Sequence, residues 1–99
     1  MKLNKLKSEL LKLMLHSYFE HHIRVFNFDF FKKEYPNLND EFISDALSAI
    51  QNDNFANIFF ADGIAYSTTL LIDAIIQEEE NTLIRKGYML VKEIYSLIN

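Results

Sequence analysis

Phe55-Ala56-Asn57-Ile58-Phe59-Phe60-Ala61-Asp62-Gly63-Ile64-Ala65-Tyr66-Ser67-Thr68-Thr69-Leu70 is the stretch that decides the fold. Aromatic and β-branched residues crowd both sides of Asp62-Gly63: Phe55, Ile58, Phe59 and Phe60 before it, Ile64, Tyr66 and Thr68 after it. An Asp-Gly pair between two such runs signals a hairpin, because the turn wants positive φ and glycine supplies it without a Cβ penalty. A two-stranded hairpin is therefore expected here.

The flanking segments change period. Upstream, Leu3, Leu6, Leu10 and Leu13 recur at helical spacing, with Leu11, Leu15 and Tyr18 widening the stripe, so residues 3–20 read as a broad-faced helix. Ile23, Val25 and Phe26 read as a short strand after His21-His22. Asn27 caps a second helix, Phe28 to Tyr35, which must stop before Pro36 because the residue preceding proline is pushed out of the α region. Pro36-Asn37-Leu38-Asn39 is a turn, and Asn39 or Asp40 caps a third helix lined by Phe42, Ile43, Ala46, Leu47 and Ile50. Downstream of Leu70 the helical period returns at Ile72, Ile75 and Ile76. It breaks at Glu78-Glu79-Glu80, and Thr82 caps a final helix. Helix, strand, helix, turn, helix, hairpin and helix is the order of an α+β winged helix-turn-helix. The added carboxy-terminal helix is expected to pack on the first helix.

Composition narrows the function. Ninety-nine residues make one domain, 1–99, with enough chain for a single core. Apolar residues form 49% and charged residues 24%, the balance of a globular protein. Cysteine is absent, which removes disulfides, thiolate metal sites and cysteine nucleophiles. No apolar run approaches the ~20 residues that span a bilayer. The start, MKLNKLKSELLKLML, reads as a helix and not a signal peptide, so a cytoplasmic location and no membrane association are expected. Two glycines and one proline leave short connections. Lysine far outnumbers arginine and asparagine is abundant, which suggests the AT-rich genes of low-GC Gram-positive bacteria or their mobile elements.

Charge is polarised. Residues 1–33 carry seven Lys or Arg against Glu9, Glu20 and Asp29, whereas residues 34–84 carry ten acids and no base. Two candidate surfaces follow. Lys2, Lys5, Lys12, Arg24, Lys32 and Lys33, with Phe28 as the aromatic most open to solvent, form a candidate nucleic-acid surface; single-strand binders join a positive groove to aromatic platforms. Phe26, Phe30 and Phe31 are read as core. On the third helix, Asp40, Glu41, Ser44, Asp45 and Ser48 form a candidate partner-binding surface. Acids there and at the Ala61-Asp62-Gly63 tip disfavour duplex DNA, since phosphate neutralisation supplies most non-specific affinity. His16, Glu20, His21 and His22 are read as a solvated helix end holding no metal, because no partner motif elsewhere completes a ligand set. No paired-carboxylate cleft, phosphate loop or nucleophile motif is present, so neither an enzyme nor a cofactor is expected.

The ending Asn81-Thr82-Leu83-Ile84-Arg85-Lys86-Gly87-Tyr88-Met89-Leu90-Val91-Lys92-Glu93-Ile94 resembles the final helix of the small YjcQ-type winged-helix proteins of Gram-positive bacteria and their phages. More loosely, the chain is similar in size and style to accessory proteins encoded beside replication enzymes on staphylococcal chromosomal cassettes. The resemblance implies a winged-helix fold and brings no catalytic residues. The expected function is that of a non-catalytic accessory protein, of the kind a phage or mobile element encodes, that binds a larger partner protein. The alternative is single-stranded or backbone nucleic-acid binding through the basic amino-terminal surface. Surplus apolar positions on helices 3–20 and 82–98 also predict a strip used by a homodimer or a partner.

Overall fold

In a computed structural model, residues 1–80, 87 and 88 are described. Among them, four helices and three strands run in the order α1 (Leu3–His21), β1 (Val25–Asn27), α2 (Phe28–Lys32), α3 (Asp40–Asn52), β2 (Ala56–Ala61), β3 (Ile64–Leu70) and α4 (Ile72–Glu79). The strands form one antiparallel sheet in the order β1-β3-β2. This is a small α+β fold, consistent with a winged-helix-like arrangement. The final helix expected from Thr82 onward, and most of the carboxy-terminal resemblance, lie outside the described residues.

Local chemistry explains most boundaries. The Asn27 side-chain oxygen accepts from the Phe30 N–H at 3.0 Å, and that of Asn39 from the Glu41 N–H at 2.7 Å, so both asparagines act as N-caps. The second helix is shorter than its sequence reading. It ends at Lys32 and not at Tyr35, because Pro36 keeps Tyr35 out of the α region and the Lys32 ammonium donates to the Leu38 carbonyl at 2.6 Å, closing a run of turns. Helix α3 ends where Asn54 takes up φ 65°, a left-handed conformation that asparagine tolerates. The first strand begins at Val25, so Ile23 falls outside it, and β2 begins at Ala56, one residue after Phe55. At the hairpin tip Asp62 and Gly63 both have positive φ, 54° and 78°, the geometry that two-residue turns require.

The core lies between the two long helices and one face of the sheet. Leu6, Leu10, Leu11, Met14 and Leu15 of α1 are fully buried, as are Ile43, Ala46, Leu47 and Ile50 of α3. The broad stripe of α1 is thus absorbed within the chain, and the expected surplus strip on this helix is reduced to exposed Leu3 and half-buried Leu13. Its partner stripe on 82–98 lies outside the described residues. Phe26 and Phe31 are buried and Phe30 packs against them, with ring centroids of Phe26 and Phe30 4.6 Å apart.

Two contacts seat the hairpin on α3. The buried Ser44 hydroxyl accepts from the Ala65 N–H at 3.1 Å, and the Gln51 side-chain oxygen accepts from the Ile58 N–H at 2.7 Å. Ile58 stands opposite Thr68, and its N–H points away from β3 toward the open edge of the sheet. The register slips between Phe59 and Phe60, which pair with Ser67 and Ala65 and leave Tyr66 as the extra residue of a bulge.

Candidate functional site

The bulge decides which side chains leave the core. Alternation carries Thr68 and Leu70 inward, and without the extra residue it would carry Tyr66 with them. With it, Ala65 takes the buried position and Tyr66 turns out to 62% exposure. Phe59, opposite Ser67, is 66% exposed and meets the Tyr66 ring edge-on at 6.2 Å. Val25 on the neighbouring edge strand is also open to solvent. The outer face therefore presents rows of Val25, Thr69 and Asn57, then Asn27, Ser67 and Phe59, with Tyr66 beside the second row. These rows carry no charge: Thr69, Asn57, Asn27 and Ser67 are polar, and Val25, Phe59 and Tyr66 are the large apolar groups among them.

Next to Tyr66 the surface dips. A pocket of about 270 Å³ opens between Asn27, Phe28, Asp29 and Tyr66. The Asn27 cap that starts α2 holds Phe28 and Asp29 at its rim. Phe28 is half-buried there, partly packed on the core.

The expected basic surface is distributed otherwise. Lys2 and Lys5 are exposed, and Lys12 is half-buried. Helical geometry sets Lys5, Glu9, Lys12, His16 and Glu20 along one outward stripe of α1, within an arc of roughly 80° at ~100° per residue. The stripe alternates in sign. Arg24 donates through Nε to the Leu70 carbonyl at 3.0 Å, locking β1 to the end of β3. Lys32 is held by Leu38 and by the Asp40 carboxylate at 2.7 Å. Lys33 is exposed, with its ammonium 5.9 Å from the centre of the Phe30 ring. Arg24 and Lys32 are thus each engaged within the fold.

On α3, Glu41, Asp45, Ser48 and Asn52 follow a helical stripe facing solvent, with Glu41, Asp45 and Asn52 exposed and Ser48 half-buried. Asp40 is exposed and paired to Lys32. Ser44 does not belong to this surface. It points into the core because it lies one turn from Leu47, and its hydroxyl serves the Ala65 backbone.

Two clusters of reactive side chains remain. His16 Nε2 lies 2.8 Å from Glu20 Oε1, and His21 Nε2 3.7 Å from Glu20 Oε2. His22 caps α1 in a left-handed conformation (φ 60°) and stacks on Tyr18 at 4.7 Å. Among the described residues no group of three His, Cys, Asp or Glu stands close enough to hold a metal ion. Asp53, at the negative end of the α3 dipole, accepts from the Lys7 ammonium at 3.2 Å and the Tyr88 hydroxyl at 2.8 Å on the same oxygen. Burial first, and the bond to Asp53 second, push the Tyr88 hydroxyl far above its usual pKa and keep it protonated. This cluster fastens the chain at residue 88 to α1 and α3. Its members hold one another.

The sequence named Phe28 and the acids of α3 but missed Phe59, Tyr66 and Val25. No helix among the described residues is long and apolar enough to cross a membrane. No family model matches the chain, nor does any curated protein or solved structure.

Proposed function

We propose that the chain is a winged helix-turn-helix module without catalysis that binds a larger partner protein. The order of elements, the turns at 33–38 between α2 and α3, and the β1-β3-β2 sheet support the winged-helix reading. The observation that carries the binding reading is the pair Phe59 and Tyr66. Two large aromatics stand in contact, each about two-thirds open, on a face that folding leaves unused.

Each ring leaves roughly 100–150 Å² in water. Covering both at ~25 cal/mol/Å² contributes about 5–7 kcal/mol before the losses of association. A micromolar complex needs about 8 kcal/mol net. The pair is therefore an anchor that neighbouring groups on the same face must supplement. Nucleic acid is disfavoured by the same surface chemistry. Glu41 and Asp45 occupy the helix that would approach phosphates, Asp62 holds the hairpin tip, and the stripe on α1 mixes Lys5 and Lys12 with Glu9 and Glu20.

The test is a paired comparison of the wild type and the Phe59→Ser/Tyr66→Ser variant. Protein captured by the wild type is expected to be lost by the variant. Single- and double-stranded oligonucleotides titrated at two salt concentrations are expected to show no saturable binding. Steeply salt-dependent oligonucleotide binding that persists in the variant would overturn this reading in favour of nucleic acid.

A further inference from the structure

We infer that the pocket between β1, α2 and β3 receives a cationic side chain of the partner, an arginine above all. The inference rests on the docking reading and names the chemistry of one group that docks. At about 270 Å³, the pocket falls below the roughly 300–1,000 Å³ of sites that enclose whole small molecules, so it suits a single side chain.

Its walls specify the charge. Phe28 and Tyr66 contribute aromatic surface, which attracts cations through the ring quadrupole. Asp29 supplies a carboxylate on the same rim. Among the described residues Asp29 forms no ion pair: Lys32 is turned to Leu38 and Asp40, and Lys33, four residues on, rests over Phe30. An apolar group entering here would strip water from Asp29 and return nothing, and an anion would be repelled. A flat guanidinium stacks on an aromatic face while hydrogen-bonding a carboxylate, which a compact ammonium does less well. Asp29 is the one charged residue among the described residues of the lining, since Asn27, Phe28 and Tyr66 are uncharged. Tyr66 joins the pocket to Phe59, so a partner segment carrying an arginine beside an aromatic or aliphatic residue meets both features together.

Two blocked dipeptides isolate the cation: N-acetyl-Arg-Phe amide and N-acetyl-norleucine-Phe amide, titrated into the full chain and followed by backbone amide NMR shifts. The arginine probe is expected to move Asn27, Phe28, Asp29 and Tyr66 saturably, and to bind several-fold more tightly than the norleucine probe. Asp29→Asn should weaken the arginine probe by roughly two- to fivefold and leave the norleucine probe unchanged or slightly tighter. Phe59→Ser should weaken both alike. Equal binding of the two probes, or arginine shifts centred on Glu41 and Asp45, would overturn the cation pocket and leave the docking face standing. No localised shift from either probe would overturn both.

Discussion

The two faces of the three-stranded sheet both carry large aromatic and aliphatic groups, and those groups meet opposite fates. On the inner face of the hairpin, Ala56, Ala65 and Thr68 are small enough for α3 to approach until Ser44 reaches the Ala65 backbone, and Leu70 and Phe26 fill the remaining space. On the outer face Phe59, Tyr66 and Val25 stand in water. In an antiparallel sheet with one covered face, polar residues ordinarily take the outer side. Here large apolar groups stand where folding gains nothing from them. The difference separates the groups that folding uses from those on which the docking proposal stands.

That division can be broken by substitution. Leu47→Ala, under the inner face, should lower stability by about 2–5 kcal/mol, read by chemical denaturation, because the fully buried site cannot collapse around the cavity. A smaller and opposite effect is expected where burial holds a polar group. Burial raises the Glu78 carboxyl from its ordinary 4.5 to about 7, and among the described residues one of its oxygens has no hydrogen-bond partner. The folded state then binds the proton more tightly than the unfolded one, so stability falls as pH rises from 4.5 to 7 and the penalty is complete above that window. Glu78→Gln should therefore stabilise the chain by about 1–3 kcal/mol near pH ~8 and change little near pH ~4. Thr68 makes the same point within the sheet, since its buried hydroxyl has no partner among the described residues. Thr68→Val should add about 1 kcal/mol in thermal melts. The smallest effect belongs to the outer face, where Phe59→Ser or Tyr66→Ser should stay within about 0.5 kcal/mol of wild type. A large loss there would show that these rings serve folding, and would remove the contrast on which the docking proposal stands.

The backbone plan was legible because its signals are local. Asn27 and Asn39 cap, Pro36 interrupts, and Asp62-Gly63 turns, each through chemistry that a few neighbouring residues determine. The outer face was not legible. A period of two places Ile64, Tyr66, Thr68 and Leu70 on one side of a regular strand, and a single inserted position at Tyr66 sends that ring to the other. The bulge is a property of the pairing between β2 and β3, which the sequence of either strand alone does not display. The charge map was legible only as a count. Lys2, Lys5, Lys12, Arg24, Lys32 and Lys33 share residues 1–33, but the count does not display that Arg24 reaches the Leu70 carbonyl across the fold, that Lys32 turns to Leu38 and Asp40, or that α1 alternates its signs. Ser44 looked exposed on the polar side of α3 because the hairpin that it contacts begins beyond the helix's own repeat.

Gln51 bears on a different hazard. An unpaired strand edge beside an aromatic sheet face holds the two ingredients of fibril growth, a row of backbone groups for the next strand and a dry surface for a second sheet. The β2 edge would be such a template in every copy of the chain. Gln51 places its amide oxygen on the Ile58 N–H, midway along that edge, and the neighbouring bulge spoils the register beyond it. An incoming strand meets a plugged site and a twist it cannot follow. The helix that buries one side of the hairpin thus also occupies a donor on its rim, which makes that rim a poorer template for another strand.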